Sequence, residues 1–301
     1  MSCTSPIRAY KEGKTENGKD RIFFCKSKDY HNDIAALKVK YGDNLLLLPC
    51  GKCLSCRMDY AKQWAIRCVL EASMYEDNCF LTLTFDDEHL PDKVSKNDLT
   101  NFIKRLRNFA GDQKLKFFAC GEYGTLTHRP HYHVIIFNFN FNDLKFLKMT
   151  DAGEYIYTSK TLEKLWPYGM SSVGEVSINS CSYVARYCSK QTNKKDGEFI
   201  HMSRRPGIAR LWFDEHPDIY KSDSIVGNFG KSHIVSIPRY FDKLAEANGI
   251  DISDIKRMRI HNSELFNNLN LALHDTNSYE ELYKLFDSLL TDKSKVLKRG
   301  L

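Results

Sequence analysis

Apolar residues recur along this chain at two periods, and the order in which the periods alternate predicts the architecture. From Met58 to Tyr75, the residues Ala61, Trp64, Ala65, Cys68, Ala72 and Tyr75 fall at helical spacing. Cys79 to Phe85 then alternates apolar with polar positions and carries β-branched Thr82 and Thr84, which predicts a strand. Asn97 and Asp98 are suitable caps for a second helix running to about Ala110, with Phe102, Ile103 and Leu106 on one side and basic residues on another. Strands are predicted over Leu115 to Glu122 and His131 to Phe139, followed by a looser stretch of Asn, Asp and Lys through about Met149. A short helix near Leu162 to Trp166, a strand over Ser172 to Ile178 and a helix beginning near Asn179 and Ser180 come next. Strands separated by helices and one hairpin predict an α+β fold, an antiparallel sheet with helices on one face.

The two ends have a different character. Beyond Arg239 the pattern is helical over Phe241 to Ala247, Ile252 to Leu273 and Tyr279 to Leu290, with breaks at Asn248-Gly249 and Asp275 to Ser278. The N-terminal stretch is polar and irregular, with one strand at Arg21 to Cys25. The expected division is an irregular segment over 1–44, a central domain over 45–240 and a helical extension over 241–301.

The chemistry concentrates in the central part. His131 and His133 stand at i and i+2 at the start of a strongly β-forming run, so both rings project from one face, with Cα atoms about 6.6 Å apart. An isolated His-x-His is frequently structural, since one hydrogen bond satisfies an imidazole. If the two central strands pair as a hairpin across the turn-rich stretch Tyr123 to Pro130, however, Glu122 approaches the same face. Two imidazoles and a carboxylate suit Mg²⁺ or Mn²⁺ carrying a phosphate oxygen. Tyr183 and Tyr187 lie one helical turn apart, a spacing that equally marks a buried aromatic face. Together, a metal centre and paired phenols suggest phosphodiester transesterification, the phenolic oxygen being the nucleophile.

Composition changes this picture little. The 42% hydrophobic fraction over 301 residues allows a substantial core. No apolar run approaches a membrane span, and the polar opening from Met1 to Asp20 has no secretory pattern, so no membrane association and a cytoplasmic location are expected. A net charge of +6 favours a polyanion only modestly, but Lys104 to Arg107, Lys190 with Lys194 and Lys195, and Arg204 with Arg205 are local clusters. Lys190, one turn beyond Tyr187, is a candidate to assist the phenol or clamp phosphate, and Arg129, Arg186, Arg204 and Arg205 are candidate phosphate contacts. Asp86 and Asp87 are weaker candidates for the metal shell. The ten cysteines are expected as thiols. Cys50, Cys53 and Cys56 have the spacing of a structural zinc knuckle lacking a fourth ligand, which Cys3, Cys25 or a distant histidine can supply. Cys68, Cys79, Cys120, Cys181 and Cys188 read as core.

A set of stretches in fixed order carries a more specific resemblance. These are Leu48 to Arg57, Trp64 to Cys68, Cys79 to Pro91, Gly121 to Gly124 with Arg129 to His133, Leu165 to Gly169, Gly174 to Val176, Tyr183 to Tyr187 and Met202 to Ile208. Over about residues 45 to 245 the chain resembles the replication initiation proteins of small single-stranded DNA phages, the gokushovirus branch of the Microviridae, within the HUH endonuclease superfamily. The resemblance implies a central His strand with the tyrosine helix packed beside it. It also implies metal-dependent nicking of single-stranded origin DNA in a bacterial host cytoplasm, through a covalent 5′-phosphotyrosine. Two tyrosines imply alternating use: one stays esterified while the other cuts the regenerated origin and a unit circle closes. A host helicase and DNA polymerase are the implied partners. A non-catalytic nucleic-acid-binding module and a metal-dependent nuclease using activated water are the competing readings.

Overall fold

The computed structural model describes residues 3–26, 33–124, 127–151, 153–190, 197–276 and 278–299, except for the side chains of 188–190 and 295–299. In chain order the elements are β1 (Ile7–Lys14), β2 (Asp20–Phe24), α1 (Ile34–Tyr41), β3 (Leu45–Leu48), α2 (Leu54–Ala72), β4 (Asn78–Thr84) and α3 (Lys96–Ala110). The central hairpin is β5 (Lys116–Tyr123) and β6 (Pro130–Phe137), followed by β7 (Leu144–Met149), β8 (Tyr155–Ser159), α4 (Lys160–Leu165), β9 (Ser171–Gly174) and α5 (Ile178–Lys190). The rest comprises β10 (Phe199–Met202), α6 (Arg210–Glu215), β11 (Ser224–Phe229), β12 (Ser232–Ser236), α7 (Arg239–Ala247), α8 (Ser253–Leu273) and α9 (Tyr279–Arg299).

The chain forms two compact units, Ala61–Ile250 and a second made of Met1–Tyr60 with Asp251–Leu301. This differs from the expected boundaries at 44 and 240. The N-terminal stretch is not irregular: β1 pairs antiparallel with both β2 and β3. The two last helices belong to that unit rather than forming an extension of the central domain. Ile34 packs with Tyr279 and Tyr283, Leu45 and Leu47 lie against them, and Arg8 pairs with Glu280 at 2.7 Å. Pairings so distant along the chain leave no local signal, which is why the sequence pattern showed only one of the three strands.

The larger unit is built on a seven-stranded sheet of order β10-β5-β6-β4-β9-β8-β7, antiparallel at every pairing. Because strand residues alternate between faces, two cores form. On one face Leu81, Leu83, Phe117, Ala119, Tyr132, Val134 and Ile136 meet the apolar stripe of α3, Leu99, Phe102, Ile103 and Leu106, and Trp166 after α4. On the other, Phe118, Cys120, Ile135 and Phe137 pack on Ala61, Ala65 and Cys68 of α2 and Cys181, Val184 and Ala185 of α5. Helices therefore cover both faces, not one as expected. The α+β class and the antiparallel sheet stand.

Local chemistry also moves some boundaries. Ser95, not Asn97 or Asp98, caps α3 by accepting from the Asn97 N–H. Ser177 and Ser180 exchange reciprocal backbone contacts at 2.8 and 3.2 Å and start α5 slightly earlier than expected. The Asn-, Asp- and Lys-rich stretch holds β7, whose exposed edge position suits polar residues. Gly121 is required where β5 meets β10, because a Cβ there would lie 2.7 Å from the Phe199 ring. Beneath the sheet, Glu71 of α2 is fully buried, accepts from Lys116 Nζ at 2.7 Å and from the Ala209 N–H at 2.5 Å, and receives the Tyr75 hydroxyl at 3.1 Å.

Candidate functional site

The hairpin ladder places the metal-type ligands. Glu122 stands directly opposite His131 and Cys120 opposite His133, while on the other side of β6 Thr84 and Thr82 face the same two histidines. Both imidazole Nε2 atoms lie 3.0 Å from Glu122 Oε1. Glu122, His131 and His133 offer ligand atoms within 4.8 Å of one another, a group that can hold a metal ion. The site is largely shielded: Glu122 is 2% and His133 6% exposed. Burial pushes the pKa of the Glu122 carboxyl up, but the contacts from His131, His133 and Tyr187 outweigh it and hold that carboxyl well below the ordinary carboxylate range. Burial pushes His133 down, against the opposing pull of Glu122.

Proton placement at the two rings shows what the centre lacks. His131 Nδ1 lies 3.1 Å from the Arg129 carbonyl oxygen, which only accepts, so that nitrogen carries the hydrogen. Its Nε2 then has a lone pair aimed at a carboxylate oxygen 3.0 Å away, an arrangement that needs either a second proton or a cation. His133 Nδ1 is held by the Thr82 hydroxyl at 3.1 Å. Its buried Nε2, although close to Glu122, finds no partner of hydrogen-bonding geometry among the described residues. Two imidazoles oriented through their outer nitrogens, with inner nitrogens converging on a carboxylate, match the donor set and support of a protein metal site.

The helix pattern brings the phenols to the same carboxylate. Tyr183 donates to Glu122 Oε1 at 3.2 Å, Tyr187 donates to Tyr183 Oη at 3.4 Å, and the Tyr183 ring stands edge-on to His133 at 4.8 Å between centroids. Burial pushes Tyr183 up to about 12, with the Glu122 charge adding to it against a lowering contact from Tyr187. Burial, then contacts with Glu122 and Tyr183, raise Tyr187 further. In this arrangement both hydroxyls are protonated at neutral pH.

The remaining expected residues divide. Arg186 is exposed, with its guanidinium 4.9 Å from the Tyr183 ring centroid. Arg204 and Arg205 are exposed on the loop after β10. Arg129 is engaged by the Asp87 carboxylate at 2.6 Å and the Phe85 carbonyl at 3.1 Å. Asp86 is likewise held by His89, and neither aspartate joins the group of ligand atoms at Glu122. Lys190 ends α5, but its side chain, like Lys194 and Lys195, lies outside the described residues. Tyr132 points to the opposite face and bonds Ser95. Thr82 was not singled out in the sequence, although the alternation of its strand marked it as facing one side with Thr84.

A family model for replication-associated proteins of the ORF2 type matches residues 78–192, a range that includes Glu122, His131, His133, Tyr183 and Tyr187. The chain is 39% identical over 256 residues to the replication-associated protein VP4 of Bdellovibrio phage phiMH2K, covering 80% of this chain and 76% of that one. It is 34% identical over 269 residues to the replication-associated protein ORF2 of Spiroplasma virus 4, covering 82% and 81%. It is also similar to the replication-associated protein ORF4 of Chlamydia phage 1, 36% over 152 residues, 48% of this chain and 38% of that one. No solved structure matches. Among the described residues no helix is long and apolar enough to cross a membrane. With similarity to two phage proteins spanning most of each chain, and a family match lying across the histidine strand and the tyrosine helix, this chain belongs to the family of phage replication-associated proteins.

Proposed function

We propose that this protein initiates rolling-circle replication by nicking single-stranded phage origin DNA at the Glu122, His131 and His133 centre, with Tyr183 and Tyr187 as nucleophiles. The observation that carries the reading is the convergence of the Tyr183 hydroxyl and both imidazoles on one carboxylate oxygen, with the Tyr187 hydroxyl joined to Tyr183. Mg²⁺ or Mn²⁺ fits the three ligands and would supply a Lewis acid for a non-bridging phosphate oxygen. The chain's own part is positional. His131 and His133 are locked by Arg129 and Thr82, and α5 sets the phenolic oxygens beside the ligands. An Oη–phosphorus bond forms as the bond from phosphorus to the 3′ oxygen breaks, and that oxygen keeps the electron pair. The proton lost by the phenol balances the one gained by the departing 3′-OH. The ester retains the bond energy, so a later 3′-OH can reverse the step and close a circle. Arg186, Arg204, Arg205 and Arg129 supply cationic groups for the phosphate backbone, with Lys190 one turn beyond Tyr187. A host helicase and polymerase would then extend the free 3′ end in the bacterial cytoplasm.

The test is incubation of the full chain with a single-stranded oligonucleotide carrying the phage origin and Mn²⁺. A denaturant-resistant protein–DNA adduct, lost with chelator and in His131→Ala and His133→Ala, is expected. Cleavage that leaves no adduct overturns the tyrosine chemistry in favour of activated water. Thr82→Val removes the support of His133 Nδ1. It is expected to raise the Mn²⁺ concentration for half-maximal adduct by about tenfold or more, with Thr82→Ser close to the parent. An unchanged metal requirement would rule out the orienting role of Thr82.

A further inference from the structure

A second group of metal-type ligands lies in the unit formed by the two ends of the chain: Cys3, Cys50, Cys53 and Cys56 have sulfurs all within 4.8 Å of one another. The sequence spacing alone supplies three of them, and the fold supplies the fourth. β1 runs antiparallel to β3 with Ile7 opposite Leu48, so the residues just before β1 and just after β3 come to the same end of the ladder. That brings Cys3 to the turn holding Cys50 and Cys53, with Cys3 Sγ 3.7 Å from Cys53 Sγ. Tetrahedral zinc with Zn–S near 2.3 Å requires sulfurs about 3.8 Å apart. A disulfide holds them near 2 Å, and the four are free thiols.

The backbone is shaped for sulfur rather than for a packed core. Gly51 has φ +71°, open to glycine because the left-handed region strains other residues. This turn directs the Lys52 and Cys53 N–H groups to Cys50 Sγ at 3.4 and 3.2 Å. The Cys50 N–H donates to Cys3 Sγ at 3.3 Å, and the Cys56 N–H donates to Cys53 Sγ at 3.4 Å at the start of α2. At least three of the four sulfurs thus accept amide hydrogens before any metal binds, and thiolates accept such bonds better than thiols do. Cys53 and Cys56 also stand at a helix N-terminus, whose dipole favours negative sulfur. All four are partly exposed, unlike the core cysteines Cys68, Cys79, Cys120 and Cys181, so the cluster is open to an incoming ion. Lys52 and Arg57 lie next to Cys53 and Cys56 in sequence and offset part of the charge of four thiolates.

We infer that Cys3, Cys50, Cys53 and Cys56 form a closed structural zinc site that ties the residues before β1 to the start of α2. Binding replaces four S–H protons by four Zn–S bonds, with no redox change. Full-length protein purified under reducing conditions should hold one zinc per chain at this site, released by a thiol-specific mercurial. Co²⁺ exchanged into it should show thiolate-to-metal charge transfer, an absorption that Glu122, His131 and His133 have no sulfur to produce. Cys3→Ser should lower zinc affinity at least about tenfold, Cys3→His should retain the metal with weakened charge transfer, and Cys25→Ser should behave as the parent. Folded protein with free thiols that neither retains zinc nor shows the charge-transfer band overturns the site. An unchanged stoichiometry and spectrum in Cys3→Ser overturns Cys3 as the fourth ligand. Because the readout is sulfur-specific, failure here is distinguishable from failure of the nicking chemistry.

Discussion

Replacing Tyr183 and Tyr187 together by phenylalanine will abolish the covalent protein–DNA adduct, a loss of at least about a thousandfold in rate, comparable to removal of a catalytic nucleophile elsewhere. Phenylalanine keeps the ring and removes only the hydroxyl. The edge-on packing of residue 183 on His133, and the packing of residue 187 against the core shared by α2, α5 and the sheet, therefore survive. A folded, DNA-binding but adduct-free double variant is the expected product, checked by denaturing electrophoresis beside a binding assay. The single variants are expected to differ by task. The two hydroxyls are 3.4 Å apart and both engage Glu122, so each single variant should retain adduct formation on a linear oligonucleotide. Circle closure, which takes two successive attacks, should fall in both. An adduct of undiminished yield in the double variant refutes tyrosine as the nucleophile.

Removing the Glu71 carboxylate will cost about 3–5 kcal/mol of stability, because it strands a buried cation. Lys116, whose side chain is 11% exposed, loses the oxygen 2.7 Å away, and the Ala209 N–H and Tyr75 hydroxyl lose their acceptor in the same step. Each of those groups was desolvated on folding and has no water to return to. Urea denaturation of Glu71→Ala measures the effect. The double variant Glu71→Leu with Lys116→Met should recover most of it, since an apolar pair leaves no charge to satisfy. A Glu71→Ala midpoint indistinguishable from the parent would show that the pair is solvated in solution.

What the sequence revealed of this molecule follows from how local each signal is. The His-x-His strand, the tyrosine helix and the strand ending in Glu122 are each written within one element, and a hairpin was enough to bring Glu122 opposite His131. Thr82 stayed hidden because its partnership depends on β4 lying beside β6, a pairing between residues 51 apart. The same holds for Cys3, which three candidates could have replaced until the ladder between β1 and β3 selected it. The second covered face of the sheet was missed for another reason: the run Phe117 to Cys120 is apolar at every position, which marks burial without saying that two different layers bury it. The capping serines were overlooked where stronger caps stood one or two residues away.

The hairpin that sets the ligands also determines which changes of length this centre can survive. A residue added to the turn after Gly124 is looped out, because the pairing of Tyr123 with Pro130 closes the ladder before the turn begins. A residue added between His131 and His133 instead rotates the rest of β6 by one face. His133 would then enter the packed layer beside α3, and a core residue would be driven toward the carboxylate. Length variation among relatives is therefore free at the tip of this hairpin and forbidden two residues away, so an insertion scan across 124–134 should switch from tolerated to inactive at Pro130.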